Sequence, residues 1–165
     1  MELLKRINEF LNNGFALVGG ITLVSMMIIA CVNMGMRLMG SPISAAFELV
    51  GYFGALTVSL PLGYAQIKKS HIAVDILSSH FPPAVRRLVR VVGLALGTVF
   101  FCVAAWQLFS HAETLRRAGE VSETLRVPYY PFIYGVSAGC GLMTLCLVVD
   151  FLTTLFPGDG DSTGA

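Results

Sequence analysis

The sequence predicts an all-α integral membrane protein, with four transmembrane helices and a short amphipathic interfacial helix between the second and third. Three observations lead there. Hydrophobic residues make up 55% of the 165-residue chain and charged residues only 13%, about half of what a water-soluble domain carries. The charges are clustered, leaving uncharged runs of 23, 19, 20 and 23 residues at 14–36, 49–67, 91–110 and 127–149. A helix crosses a bilayer core with about 20 apolar residues, so each run is long enough. None alternates in polarity, as the strands of a membrane barrel would. A net charge of +1, with basic residues only in short loop clusters, speaks against nucleic acid as a partner. The expected surrounding is a lipid bilayer.

Residues 1–156 read as one membrane domain, with spans at about 14–36, 47–67, 90–110 and 128–156. Lys5 and Arg6 precede the first span as they would precede a signal peptide. The apolar run outlasts a signal core, however, and three more spans follow, so the segment is expected to be retained. Arg37 closes this span and Glu48 opens the second. There, Gly51, Ala55, Ser59 and Gly63 recur at every fourth residue, a flat stripe on which another helix backbone can rest. Pro61 removes the hydrogen bond to the Thr57 carbonyl and predicts a kink. Lys68 and Lys69 end the span.

Residues 70–81 follow as the interfacial helix. Ser70 can cap it. Ile72, Ile76 and Leu77 share its apolar face, while His71 and Asp75 stand four apart and can pair on the other. Pro82 and Pro83 stop it. The third span carries Gly93 and Gly97, and the fourth carries Gly135 and Gly139 beside Ser137 and Gly141. Asp150 lies near the end of the fourth. Residues 157–165, small and polar, read as a disordered tail. Its Asp-Gly-Asp lacks the downstream glutamate of a calcium loop.

Basic residues set the orientation. Two at the N-terminus and five in the middle loop fall on one side, against one in the first loop and three in the last, seven against four. Both termini are therefore expected in the cytoplasm. Tyr52, Trp106, Tyr129 and Tyr130 fall near the opposite interface, where amphipathic rings are favoured.

The chemistry-bearing residues are sparse. No carboxylate, lysine, arginine or histidine lies near the middle of any span, where one would mark an ion or proton path. Histidines occur at 71, 80 and 111 only, all at or beyond span ends. An alternative reading is a membrane-anchor or cytochrome-like subunit of a redox complex, but haem ligation needs histidines facing one another inside the bundle. No nucleophile–base set is visible, so no catalytic residue, cofactor or metal is expected. Cys31, Cys102, Cys140 and Cys146 lie in apolar runs without metal-ligand spacing and read as small buried residues. Arg37, Glu48, Lys68, Lys69 and Asp150 sit at the lipid boundary. Two roles fit them: interfacial anchors, or ion pairs within the bundle or with a second membrane subunit, Arg37 with Glu48 among them. The loop at 111–126 carries Glu113, Glu120 and Glu123 with Arg116, Arg117 and Arg126.

The stretch FELVGYFGALTVSLPLGYAQIKKSHIAVDIL resembles the small membrane subunit of tripartite ATP-independent periplasmic (TRAP) transporters, the DctQ type. The matching marks are Glu48 opening the second span, Gly63 and Ala65 near its end, the pair Lys68-Lys69, then His71-Ile72-Ala73-Val74-Asp75 and Phe81-Pro82. ETLRVPYY is similar to the family's last loop at Thr124, Leu125, Val127 and Pro128. The resemblance spans about 47–155. Pro61, and Gly135-Val136-Ser137 where a proline is expected, depart from it. It implies an accessory scaffold in a bacterial inner membrane. That scaffold would brace a large permease subunit that takes up an organic anion, such as a dicarboxylate or sugar acid, usually with sodium. A periplasmic substrate-binding protein would deliver the cargo, and Arg116, Arg117 and Arg126 lie where it would dock. The small-residue stripe and boundary charges, with His71 and Asp75, are then candidates for holding the subunit in the complex.

Overall fold

The computed structural model describes residues 2–41, 43–68 and 83–155. Among them run α1 (Glu2–Leu38), α2 (Ala46–Ser59), α3 (Leu62–Ile67), α4 (Pro83–Ala118) and α5 (Tyr130–Leu155), with no strand. Four stretches are long and apolar enough to cross a membrane: Asn8–Leu38, Ala46–Ile67, Val91–Ala118 and Tyr130–Leu152. The interfacial helix expected at 70–81, with Lys69, His71 and Asp75, and the tail at 157–165 lie outside the described residues.

Two helices outrun their uncharged runs. α1 begins at Glu2 because ELLKRINEFLNN is built of residues that tolerate a helix, and charge does not stop one. α4 opens on Pro83, whose missing N–H costs nothing in a first turn. Its 36 residues span roughly 54 Å at 1.5 Å per residue, well beyond a core of about 30 Å. Both helices stop the same way. Gly40 (φ 78) and Gly119 (φ 66) adopt the left-handed conformation. The following amides, of Ser41 and Glu120, then reach back to the carbonyls of Met36 and Leu115 at 3.1 and 3.3 Å. This is the glycine-terminated helix end, and it satisfies carbonyls that would otherwise be orphaned.

Pro61 does more than kink the second span. Leu60 N–H still reaches Leu56 O at 3.0 Å, and the ladder resumes only with Ala65 N–H to Pro61 O at 3.0 Å. Leu60 and Pro61 form a turn, so the span is two helices, α2 and α3. The proline cannot donate, and its ring crowds the preceding turn.

The helices pair as two hairpins, α1 with α2–α3 and α4 with α5. In lipid no hydrophobic force draws helices together, so contact rests on close packing and interhelical hydrogen bonds. α1 turns Asn12, Gly19 and Thr22 inward, all buried, and the Thr22 and Thr57 hydroxyls meet at 3.0 Å. α5 is the most buried helix. It crosses the α2–α3 break at Gly139, where a Cβ would lie 2.5 Å from the Ser59 carbonyl oxygen. α4 offers one stripe to α5. The Ser137 hydroxyl donates to Ala105 O at 2.9 Å, and Gly97 lies under Leu147. Leu96, Phe100 and Trp106 of α4 are exposed apolar surface.

The small-residue stripe of the second span divides at the break. Ser59 and Gly63 are buried inside the chain, whereas Gly51 and Ala55 are exposed. The cysteines divide too. Cys140 and Cys146 are buried, but Cys31 and Cys102 are exposed, which corrects the reading of all four as buried. Helix faces turned to lipid carry the same apolar residues as those turned inward, so hydropathy could not separate them.

Candidate functional site

Polar side chains gather at the two ends of the bundle. At the loop end, where α1 runs into α2 and α4 into α5, Glu48 sits in the first turn of α2. Its carboxylate accepts from the Ser122 hydroxyl, from Thr124 N–H at 3.0 Å and from Leu125 N–H at 3.4 Å. A carboxylate taking backbone N–H groups is a strong, charge-assisted arrangement. It ties the last loop to the opposite hairpin. Two family-like marks that are 76 residues apart, Glu48 and Thr124, thus meet in space. Arg37, expected as a partner of Glu48, does not share it: among the described residues no ion pair joins them.

A second carboxylate organises the neighbouring corner. Glu113 accepts from Arg116 at 2.9 Å and Arg117 at 3.0 Å, and from the Tyr134 hydroxyl at 2.8 Å. The two arginines stay 56% and 78% exposed, so they present charge to water while held on their own helix. Arg126 takes a positive φ of 52 in the turn that Glu48 holds. The Tyr129 hydroxyl donates to Glu120 at 2.9 Å, and the carboxylate beside it pushes the phenol above its ordinary pKa. The Tyr129 ring stacks on Tyr52 at 5.9 Å, and Tyr52 stacks on Phe132 at 5.0 Å. Aromatic packing therefore backs the polar clamp.

At the terminal end, the first turns of α1 reach α3 and α5. Asn12 is 0% exposed. Its amide nitrogen donates to Asn8 O at 2.8 Å, to Asn8 Oδ1 at 2.8 Å and to Cys146 Sγ at 3.3 Å. The Cys146 thiol donates in turn to Gly63 O at 3.6 Å and Asn8 Oδ1 at 3.4 Å. Asn12 Oδ1 has no hydrogen-bond partner. It points at the side of Gly63 where any other residue would carry Cβ, so it is offered a Cα–H group only. Gly63 is thus required by contact, and Cys146 is a polar junction besides filling space. Next to it, Gln66 Nε2 donates to Asp150 Oδ2 at 2.9 Å. Lys68 Nζ lies 5.8 Å from the centre of the Tyr64 ring.

The structure thus joins Glu48 to the last loop, Asp150 to Gln66, Gly63 to Asn12, and Arg116 and Arg117 to Glu113. It leaves Gly51 and Ala55 on the surface. Ser122, Asn8, Asn12, Gln66 and Cys146 were not singled out beforehand as polar partners. The one hint is the i, i+4 spacing of Asn8 and Asn12. Among the described residues, no group of three His, Cys, Asp or Glu side chains could hold a metal ion. Glu48, Asn12, Cys146, Gln66 and Tyr134 bond across elements, whereas the pairs of Glu113 with Arg116 and Arg117 lie within α4.

No curated protein and no solved structure matches the chain. The family model for tripartite ATP-independent periplasmic transporters, DctQ component, matches residues 26–156. That stretch takes in the whole loop end and, at the terminal end, Gly63, Gln66, Cys146 and Asp150, but not Asn8 and Asn12 of α1. With four helices able to cross a membrane and polar groups spent on assembly, the chain belongs to the DctQ family, the small permease component of TRAP transporters.

Proposed function

We propose that the chain is an accessory scaffold, bracing a large permease subunit that imports an organic anion, a carboxylate or sugar acid, together with sodium. A periplasmic binding protein supplies the cargo. The membrane is a bacterial inner membrane, and both termini face the cytoplasm, the side favoured by the basic residues. One observation carries the bracing role. Gly51 and Ala55 are small, lie on the surface of α2, and are flanked by Phe47 and Val58, 75% and 68% exposed. Nothing lies within 4 Å of where a Gly51 Cβ would stand. A partner backbone can approach such a patch closely, and close approach is what drives helix association in lipid.

The test is co-purification with the large subunit. Gly51→Trp should lower the recovered complex while leaving the amount of this chain in the membrane unchanged. Val99→Trp, on the exposed apolar face of α4, should change neither. Equal recovery with Gly51→Trp would remove this face from the interface. Sodium-driven anion uptake by the chain alone in vesicles would end the scaffold reading altogether. On the other side of the membrane, Arg116, Arg117 and Arg126 contribute to docking of the binding protein. Reversing the charge of Arg116 and Arg117 should make uptake less sensitive to salt. Asp75, with His71, seats the segment before the third span, and Asp75→Ala should lower the assembled complex.

A further inference from the structure

Half of the charged side chains whose surroundings are described are committed. Glu48, Glu113, Glu120, Arg116 and Arg117 hold loop-end contacts, and Asp150 is bonded to Gln66. One place at the terminal end differs. A recess of about 120 Å³ is lined by Glu9 and Asn13 from α1 and by Tyr64, Ile67 and Lys68 from α3 and its end. Among the described residues, no hydrogen bond or ion pair engages the Glu9 carboxylate, the Asn13 amide, the Tyr64 hydroxyl or the Lys68 ammonium. Four polar side chains of complementary chemistry therefore line one opening with no hydrogen bond or ion pair among the described residues, and the Lys68 ammonium has the Tyr64 ring beside it.

Its depth is informative. Asn13 immediately precedes the uncharged run of the first span, and Lys68 immediately follows that of the second. The recess thus lies on two helices at the boundary between hydrocarbon and water, where phospholipid head groups sit.

We propose that this recess binds the phosphoethanolamine head of a phospholipid in the leaflet on the side of the termini. Lys68 and the Asn13 amide donate to the phosphate. Glu9 accepts from the primary ammonium, which has three N–H donors. A head group with negative charge alone would satisfy Lys68 but meet the Glu9 carboxylate. A choline head would bring a quaternary ammonium with no N–H for Glu9. Nor is the Tyr64 face free for it, because Lys68 Nζ already stands 5.8 Å from the ring centre. Chemistry thus selects the zwitterion that donates hydrogen bonds. The inference rests on the membrane placement of the spans and not on any role in transport.

The experiment takes the purified full chain in mild detergent. It counts lipid adducts by native mass spectrometry with phosphatidylethanolamine, phosphatidylcholine and phosphatidylglycerol of identical acyl chains. Phosphatidylethanolamine should be retained best. Glu9→Gln should weaken it roughly tenfold, the effect of losing one charge-assisted hydrogen bond, and bring it to the level of phosphatidylcholine, whereas Lys68→Met should weaken all three lipids by a similar factor, because each carries the phosphate. Arg6→Ala, an exposed cation outside the recess, should change nothing. Free phosphoethanolamine at high concentration should displace the lipid. Equal retention of the three lipids, phosphatidylglycerol retained best, or retention unaffected by Glu9→Gln would each overturn the assignment. So would binding of free phosphoethanolamine without any lipid preference. Both substitutions remove exposed side chains that make no hydrogen bond or ion pair among the described residues, and circular dichroism checks the fold. If either variant unfolds, Asn13→Ala must weaken retention of all three lipids, as the loss of a phosphate donor requires, for the proposal to stand.

Discussion

The glycines of α5 allow a graded test of how closely this helix is seated on the opposite hairpin. Replace Gly141, Gly135 and Gly139 by alanine, one at a time. All three lie inside one helix, so the gain in helix propensity, about 1 kcal/mol in water, is common to the series and cancels in comparison. At Gly141 nothing lies within 4 Å of the new Cβ, which sets the reference. At Gly135 the Cβ would stand 2.6 Å from Leu56 Cδ2. That atom ends a flexible side chain, so a rotamer shift of about 0.5–1.5 kcal/mol relieves it. At Gly139 the Cβ would stand 2.5 Å from Ser59 O, 2.7 Å from Ser59 C and 3.2 Å from Leu60 N. These are backbone atoms at the α2–α3 break, and none can swing away. Restoring an ordinary contact of about 3.4 Å means separating the helices by roughly 0.9 Å, and a gap of that size forfeits up to half of each neighbouring dispersion contact. Overpacking of this kind costs about 1–3 kcal/mol, roughly a 5- to 150-fold change in the folding equilibrium. The assay is unfolding in mixed detergent and SDS followed by far-ultraviolet circular dichroism. The midpoint should fall in the order Gly141→Ala, Gly135→Ala, Gly139→Ala. A Gly139→Ala protein as stable as Gly141→Ala would refute the close seating of α5 on the break.

Four further outcomes are expected. Glu48→Gln should expose the Thr124 and Leu125 amides to hydrogen exchange while leaving those of mid-α5 protected; unchanged protection would mean that the clamp does not hold the loop. Cys146→Val should cost about 1–3 kcal/mol by taking from the Asn8 amide its thiol acceptor, Asn12 still having Asn8 to donate to, whereas Cys146→Ser keeps a donor and acceptor in place and should cost less. Gly63→Ala should be destabilising, and Asn12→Ala should relieve it, since the two atoms compete for one position; additive effects in that cycle would be contrary. In a spectrophotometric titration, the phenol assigned to Tyr129 by comparison with Tyr129→Phe should ionise above the ordinary tyrosine range, and Glu120→Gln should bring it down. The sign follows from the carboxylate, which accepts the proton of the neutral phenol and repels the phenolate.

Much of the fold was legible because a bilayer imposes a simple rule: uncharged runs of sufficient length become helices. The ends of α1 and α4 were not, since helices continue through charged residues once started, as at Lys5 and Arg116. The terminating glycines at 40 and 119 looked like any other glycine in a glycine-rich chain. Pro61 announced a disturbance but not its size, which depends on what packs against the freed turn. For the candidate site, the residue types at the boundary were readable and their partners were not. Glu48 seemed nearest to Arg37 along the chain, yet the backbone amides of 124 and 125 outcompete it because the folded loop delivers them together. Asn12 and Cys146 carried no signal, because buried amide and thiol groups occur in apolar helices without any spacing that announces a contact 134 residues away.

The two hairpins differ in when they can be completed. Each closes through residues near in sequence, but the contacts that sew one to the other are distant. Glu48 waits for Ser122 to Leu125, Ser59 for Gly139, and Asn12 for Cys146. A chain emerging from the ribosome has α1 to α3 in the membrane long before these partners exist, and distant contacts form late. Until then Asn12 has Asn8 as its acceptor but not the Cys146 thiol. A chain cut short before residue 122 would hold α1 to α3 with none of these cross-hairpin contacts.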